Sequence, residues 1–166
     1  MEIITPPEFY STINNCHLLL DTSVFIDALI NPTTFGEFFN ELRDHNVTLV
    51  TIDPVILEFI KGAPNYTKHQ EKLEFLNSII DTCLPLPKEV FEFSKKLSEL
   101  YNEEGKTVSI TDFLLGACIG HYQNNLFLIS KNTSDFPTNI FQLKTFLNLV
   151  HRKSIQSYGV YSYSNP

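Results

Sequence analysis

Tryptophan is absent from this sequence, methionine occurs once, and the three cysteines, Cys16, Cys83 and Cys118, are odd in number and far apart. That spacing offers neither a disulfide framework nor a zinc-ligand pattern, so all three read as reduced core thiols. Excess positive charge is missing as well: 12 Lys and Arg stand against 19 Asp and Glu, a net charge of −7. Binding nucleic acid through an overall field requires the opposite sign. Any such contact here has to be local, through divalent cations at an acidic cleft or a few basic residues on its rim. No apolar run approaches the ~20 residues needed to span a bilayer. The opening MEIITPPEFYSTINN has no basic start followed by an apolar stretch. A cytoplasmic protein without a membrane segment is the expectation. Neither an internal repeat nor a low-complexity segment is visible.

What is present is enough apolar material for one core: 43% hydrophobic residues, with 14 Phe and 7 Tyr, in a chain of 166. Residues 1–15, with Pro6, Pro7 and a closing Asn pair, read as an N-terminal arm, 16–150 as a single folded domain, and 151–166 as a C-terminal tail. HLLLD (His17 to Asp21) has the pattern of a strand buried on both faces. A helix follows over Ser23 to Ile30. Phe35, Phe38, Phe39 and Leu42 recur at helical spacing, and β-branched VTLVTI (Val47 to Ile52) reads as a second strand. Asp53-Pro54 starts a helix, with Asp53 as its cap, that runs to Gly62. Helices over Lys68 to Ile80, Lys88 to Glu103 and Ser109 to Gln123 alternate with candidate strands at Thr82 to Leu86 and Asn125 to Ser130. Alternating β and α elements predict an α/β fold with a mainly parallel central sheet flanked by helices. The segment from Gln142 to the end is compatible with a strand, a short helix, or both.

Four carboxylates occupy places that packing alone does not require. Asp21 ends the first strand, Glu58 lies inside VILEFIKG, Asp112 opens an apolar helix, and Asp135 follows NLFLIS. In a parallel sheet, strand ends and helix starts converge at the carboxyl edge, where ligands bind. Carboxylates gathered there repel one another unless a hard cation such as Mg²⁺ or Mn²⁺ joins them. Taken singly, three of them have a plainer explanation: Asp21 as a helix cap, Asp112 as the partner of Ser109 in a capping box, Asp135 as a turn residue. Glu58 resists such a reading, because apolar neighbours surround it on nearly every helical face. Asp27 reads as a solvated helix-face residue and is left out of the site.

In order and spacing, these segments resemble the PIN-domain nucleases, and among them the VapC-type toxins of toxin–antitoxin pairs. HLLLDTSVFIDAL is similar to the opening strand with its first Asp, TIDPVILEFIKGA to the segment holding the Glu, and SITDFLLGACIGHYQNNLFLISKNTSDFP to the long motif with the third acid and a later Asp-Phe. The likeness covers roughly residues 17–143. It implies a PIN-like domain with an acidic quartet at Asp21, Glu58, Asp112 and Asp135, supported by Thr22, Ser130 and Asn132. It also implies metal held by Asp21, Asp112 and Asp135, with Mg²⁺ or Mn²⁺ as cofactor, and hydrolysis of RNA to 5′-phosphate and 3′-hydroxyl ends. Homodimers and an antitoxin that lies across the acidic groove belong to the same implication. Ser130-Lys131 departs from the family's frequent Thr-Arg, and Phe113 stands where a small residue is frequent.

Candidate rim residues for RNA are Lys61, Lys106, Lys131, Arg152 and Lys153. The five histidines show no pairing suited to zinc or to a catalytic triad, and Phe35, Phe38, Phe39, Phe91 and Phe93 suit core or dimer contacts better than base stacking. Two rival functions remain: a catalytically inactive PIN-like interaction module, and another Mg²⁺-dependent phosphoester hydrolase. The second typically needs an acid shortly after the first Asp, where this chain has Ser23.

Overall fold

In a computed structural model of the chain, residues 1–103, 105, 107–151 and 154–164 are described. The apolar run Leu18 to Leu20 is buried, as a strand covered on both faces must be, and forms β2 (His17–Leu20) in the interior of the sheet. Its parallel neighbours are β3 (Thr48–Thr51) and β5 (Leu126–Ser130), and β4 (Thr82–Cys83) adds a short parallel edge beside β3. The sheet then continues past β5 in the antiparallel sense. The full order is β1-β6-β7-β5-β2-β3-β4, where β1 is Glu2–Ile4, β6 Phe141–His151 and β7 Ser154–Tyr163.

Helices connect and cover the parallel half: α2 (Thr22–Ile30), α3 (Pro32–Asp44), α4 (Asp53–Lys61), α5 (Tyr66–Ile79), α6 (Lys88–Glu103) and α7 (Ile110–Tyr122). In α3 the predicted spacing holds, with Phe35, Phe38, Phe39 and Leu42 buried in one stripe. Each such side chain contributes about 1.5–3 kcal/mol by leaving water. The sequence boundaries shift by one or two residues at these helix ends, as capping makes usual. Gly120 lets α7 lie close to α6, since a Cβ there would fall 2.1 Å from the Phe93 ring.

The terminal segments do not lie outside the domain. The stretch read as an arm supplies β1, paired with β6, and the short helix α1 (Phe9–Ile13), whose Phe9 and Ile13 are completely buried. The stretch read as a tail supplies β7, which sits between β5 and β6 and buries Tyr158, Val160 and Tyr161. The boundaries at 15 and 150 are therefore corrected: the apolar residues of both segments complete the one core. Cys83 also departs from expectation, being exposed at the sheet edge, whereas Cys16 and Cys118 are buried. No described helix is long and apolar enough to cross a membrane.

Candidate active site

The chain leaves β2 toward β3 on one side and returns later to β5 on the other, so the sheet reverses its winding between β2 and β5. Crevices at the carboxyl ends of such strand pairs are where open α/β sheets bind ligands. Asp21 and Ser130 face each other there. Asp21 takes the position before α2 with extended backbone, yet its carboxylate makes no capping bond. Instead its Oδ2 accepts from the Ser23 and Ser130 hydroxyls, each at 2.7 Å.

Glu58 is brought in by α4, which packs beside α2. Its Oε2 accepts from the Thr22 hydroxyl at 2.9 Å, placing it next to Asp21. The side chain is half-buried, and its neighbour Leu57 is 61% exposed, so α4 is not enclosed on every face as its composition suggests. Asp112 lies in the first turn of α7. The Ser109 hydroxyl donates to its Oδ2 at 2.6 Å and accepts from its backbone N–H at 3.1 Å. Ser109 thus caps α7 as the sequence suggests, but the Asp112 carboxylate accepts from the Ser109 hydroxyl, where a full capping box would use the backbone N–H, and it is only 7% exposed. Asp135 ends a single 3₁₀ turn (Thr133–Asp135) just after β5, and the hydroxyl of buried Tyr101 on α6 donates to its carbonyl.

Electrostatics ties the four together. Burial pushes the Asp112 carboxyl up to about 6, the Ser109 hydroxyl bond opposes this, and Asp21, Asp135 and Glu58 each push it further. Burial likewise raises Asp21, with the hydroxyls of Ser130 and Ser23 and the Thr22 N–H pulling back and Glu58 adding to the rise. Among the described residues, no Lys, Arg or His side chain acts on Asp21 or Asp112 to offset this negative charge.

That excess yields a pH signature. A carboxyl raised from 3.8 to about 6 in the folded state costs nothing below pH 3.8, where both states hold the proton. Stability then falls as pH rises through 6, because the unfolded state gives up its proton first. Asp112→Asn is therefore expected to stabilise the metal-free protein at pH 7.5 by on the order of 2 kcal/mol, and not at all at pH 3.5. Thermal melts in EDTA at the two pH values check this.

No family model matches the sequence, and no curated protein matches it. Solved structures do. VapBC-1 from nontypeable Haemophilus influenzae aligns with 72% of this chain and 89% of its own at a TM-score of 0.58 and 21% identity. The chain has a PIN-like fold. VapBC2 from Rickettsia felis, solved with a DNA fragment from their promoter, aligns with 66% of this chain and 84% of its own at a TM-score of 0.57 and 17% identity.

Within this PIN-like frame the supporting positions are occupied as follows. Thr22 holds Glu58, Ser130 holds Asp21, and Asn132 contributes its backbone N–H to the Ser130 hydroxyl at 3.0 Å while its side chain is exposed. Ser23 is a contact that sequence reasoning missed, although its place two residues after Asp21 was the available signal. Asp27 is a correction. It is 7% exposed rather than solvated, and its Oδ2 accepts from Lys131 Nζ at 2.9 Å and from the Tyr158 hydroxyl. Lys131 is thereby engaged in an ion pair and is not a free rim cation. Lys61 is exposed at the end of α4, whereas Lys106, Arg152 and Lys153 lie outside the described residues. Asp53 is the first residue of α4 rather than its cap, and its carboxylate accepts from the Cys83 thiol at 3.4 Å.

Among the described residues, no group of three His, Cys, Asp or Glu side chains is arranged to hold a metal ion. The donor chemistry still suits a hard cation, since every acid offers carboxylate oxygen. Mg²⁺ keeps several waters and is commonly bound through only one or two carboxylates.

Proposed function

We propose that this protein is a divalent-metal-dependent endoribonuclease of VapC type, hydrolysing RNA phosphodiester bonds at the Asp21, Glu58, Asp112 and Asp135 cluster. The observation that carries the reading is the convergence of these acids at the β2–β5 crevice, where burial first, and the charges of Asp21, Asp135 and Glu58 after it, raise the Asp112 carboxyl to about 6. Acids repelling one another in a cleft cost stability, and a function that gathers cations explains their retention. Asp21 and Asp112, with Asp135 nearby, are the residues that would hold Mg²⁺ or Mn²⁺. When bound, such an ion supplies stabilisation of the charge that builds on the phosphoryl oxygens and makes water more acidic.

The protein's own groups do the rest. Ser23 and Ser130 fix the rotation of the Asp21 carboxylate, and Ser109 fixes that of Asp112. Glu58, steadied by Thr22, and Asp135, whose turn is tied down by Tyr101, would orient an attacking water. Lys61 offers a contact to the RNA backbone, which positions substrate without reading its sequence.

By the same resemblance the protein acts in a toxin–antitoxin pair and forms a homodimer. The exposed apolar side chains Ile26, Leu29 and Ile30 on α2 and Leu57 on α4 are suited to a partner. A basic segment of an antitoxin would meet a chain of net charge −7. The test of the activity is incubation of the purified protein with a pool of structured RNAs in Mg²⁺, Mn²⁺ or EDTA. Cutting is expected only with metal; a folded protein that binds no metal and cuts nothing returns the assignment to a PIN-like binding module, in which Asp112 serves only as the partner of the Ser109 helix cap.

A further inference from the structure

Two residues on one face of α2, Ser23 and Asp27, are one helical turn apart, and both are bonded to the same residue of the opposite chain segment. The Lys131 backbone N–H donates to Ser23 Oγ at 3.3 Å, and its ammonium donates to Asp27 Oδ2 at 2.9 Å. A third attachment reaches Asp27 from β7, through the Tyr158 hydroxyl. Lys131 directly follows Ser130, and Ser23 and Ser130 are the two hydroxyls that grip Asp21 Oδ2. The ion pair is well sheltered, with 31% and 10% of the two side chains exposed. The nearly buried Asp27 carboxylate accepts from both Lys131 Nζ and the Tyr158 hydroxyl.

From this geometry we infer that Lys131 and Asp27 form a clamp that sets the position of Asp21, so that the pair acts as positioning residues for cation binding at the acidic crevice. The clamp stitches the end of β5 along α2, which brings the Ser130 and Ser23 hydroxyls to one carboxylate oxygen and fixes its rotation. Without it, the side-chain hydrogen bonds that remain between the β5 end and α2 among the described residues are those of the Ser23 and Ser130 hydroxyls, beside the apolar packing of the two elements. A sheltered ion pair is weak evidence of a contribution to stability, because an apolar replacement of both partners is often neutral. That property allows a positioning role to be separated from a structural one.

The inference rests on the proposed metal-dependent reading, and its test uses Mn²⁺ alone as the probe, with binding read by calorimetry and by the electron-spin resonance of free Mn²⁺. The variants are Lys131→Met, Lys131→Arg, Asp27→Asn, the double Asp27→Asn/Lys131→Met, and Asp21→Asn. Losses of outlying supports of metal ligands typically weaken affinity about 10–100-fold. Lys131→Met and Asp27→Asn are expected to show that loss, and Lys131→Arg to retain wild-type affinity. In the double variant, which leaves no unpaired charge, Tm returns toward the wild type while Mn²⁺ affinity stays low. If Lys131→Met does not fold, the double variant alone decides.

Mn²⁺ affinity restored together with Tm in the double variant overturns the clamp, as does wild-type affinity in Lys131→Met. A double variant that stays both unstable and weak in binding assigns the loss to packing and also overturns it. A wild type that binds no Mn²⁺, or an Asp21→Asn variant that binds it equally well, removes both the clamp and the metal-dependent reading. Clamp-dependent Mn²⁺ binding without any RNA cleavage removes the ribonuclease reading and leaves the clamp standing.

Discussion

Asp21→Asn is expected to abolish RNA cleavage, by on the order of 10³-fold or more, while making the metal-free protein more stable at neutral pH. Both effects have one cause. The carboxylate is 2% exposed, burial raises its pKa, and Glu58 raises it further. Holding that group ionised in the folded state therefore costs free energy above its unfolded pKa, and the cost disappears where both states are protonated. The substitution removes the charge but keeps shape: an amide oxygen accepts from Ser23 and Ser130 as the carboxylate oxygen does. What it cannot do is neutralise a cation. Single-turnover cleavage and thermal melts in EDTA at pH 7.5 and pH 3.5 are the two readouts. Retained activity, or a melt lowered at pH 7.5, contradicts the assignment of Asp21 to a charge-gathering site.

Removing residues 151–166 is expected to unfold the protein. β7 is an interior strand, with β5 on one side and β6 on the other, and its Gly159 lies opposite Ser130. Tyr158, Val160 and Tyr161 are at most 3% exposed. At about 1.5–3 kcal/mol for each buried side chain, these three alone approach the ~5–15 kcal/mol that stabilises a typical domain. The deletion would also leave the backbone of β5 unpaired on one edge and cut β6 and β1 off from the sheet. Circular dichroism of the truncated chain is expected to show no cooperative transition. A truncated chain that melts cooperatively would mean that β7 is an appendage rather than part of the core.

The contrast between β2 and β7 explains how far the sequence could be read. Buried parallel strands such as HLLL and LFLIS announce themselves by unbroken apolar runs, and the helices between them carry cap and glycine signals at their ends. β6 alternates inward Thr145, Leu147 and Leu149 with outward residues, but Phe146 and Val150 on the outer side blur the period. β7 begins with four exposed residues and then buries four in succession, which matches neither a strand alternation nor a helical stripe. At the N-terminus, Pro6 and Pro7 mask a three-residue strand and a five-residue helix.

The acids were legible for a similar reason: Asp21 and Asp135 follow strands that the sequence makes plain, and Asp112 opens an equally plain helix. Asp27 was not, because α2 is apolar on both sides. Ile26, Leu29 and Ile30 face outward while Val24, Phe25 and Ala28 face the core, so periodicity could not tell which side Asp27 shares. Its partners lie 104 and 131 residues away, beyond any local pattern.

The most direct measurement of the central claim is the chemistry of the RNA ends that the wild-type protein leaves in Mg²⁺, compared with EDTA and with Asp112→Asn. Hydrolysis at this cluster predicts 5′-phosphate and 3′-hydroxyl ends that vanish on chelation and in the variant. Cyclic phosphate ends that persist in EDTA would place any cleavage on groups other than these four acids and contradict the account.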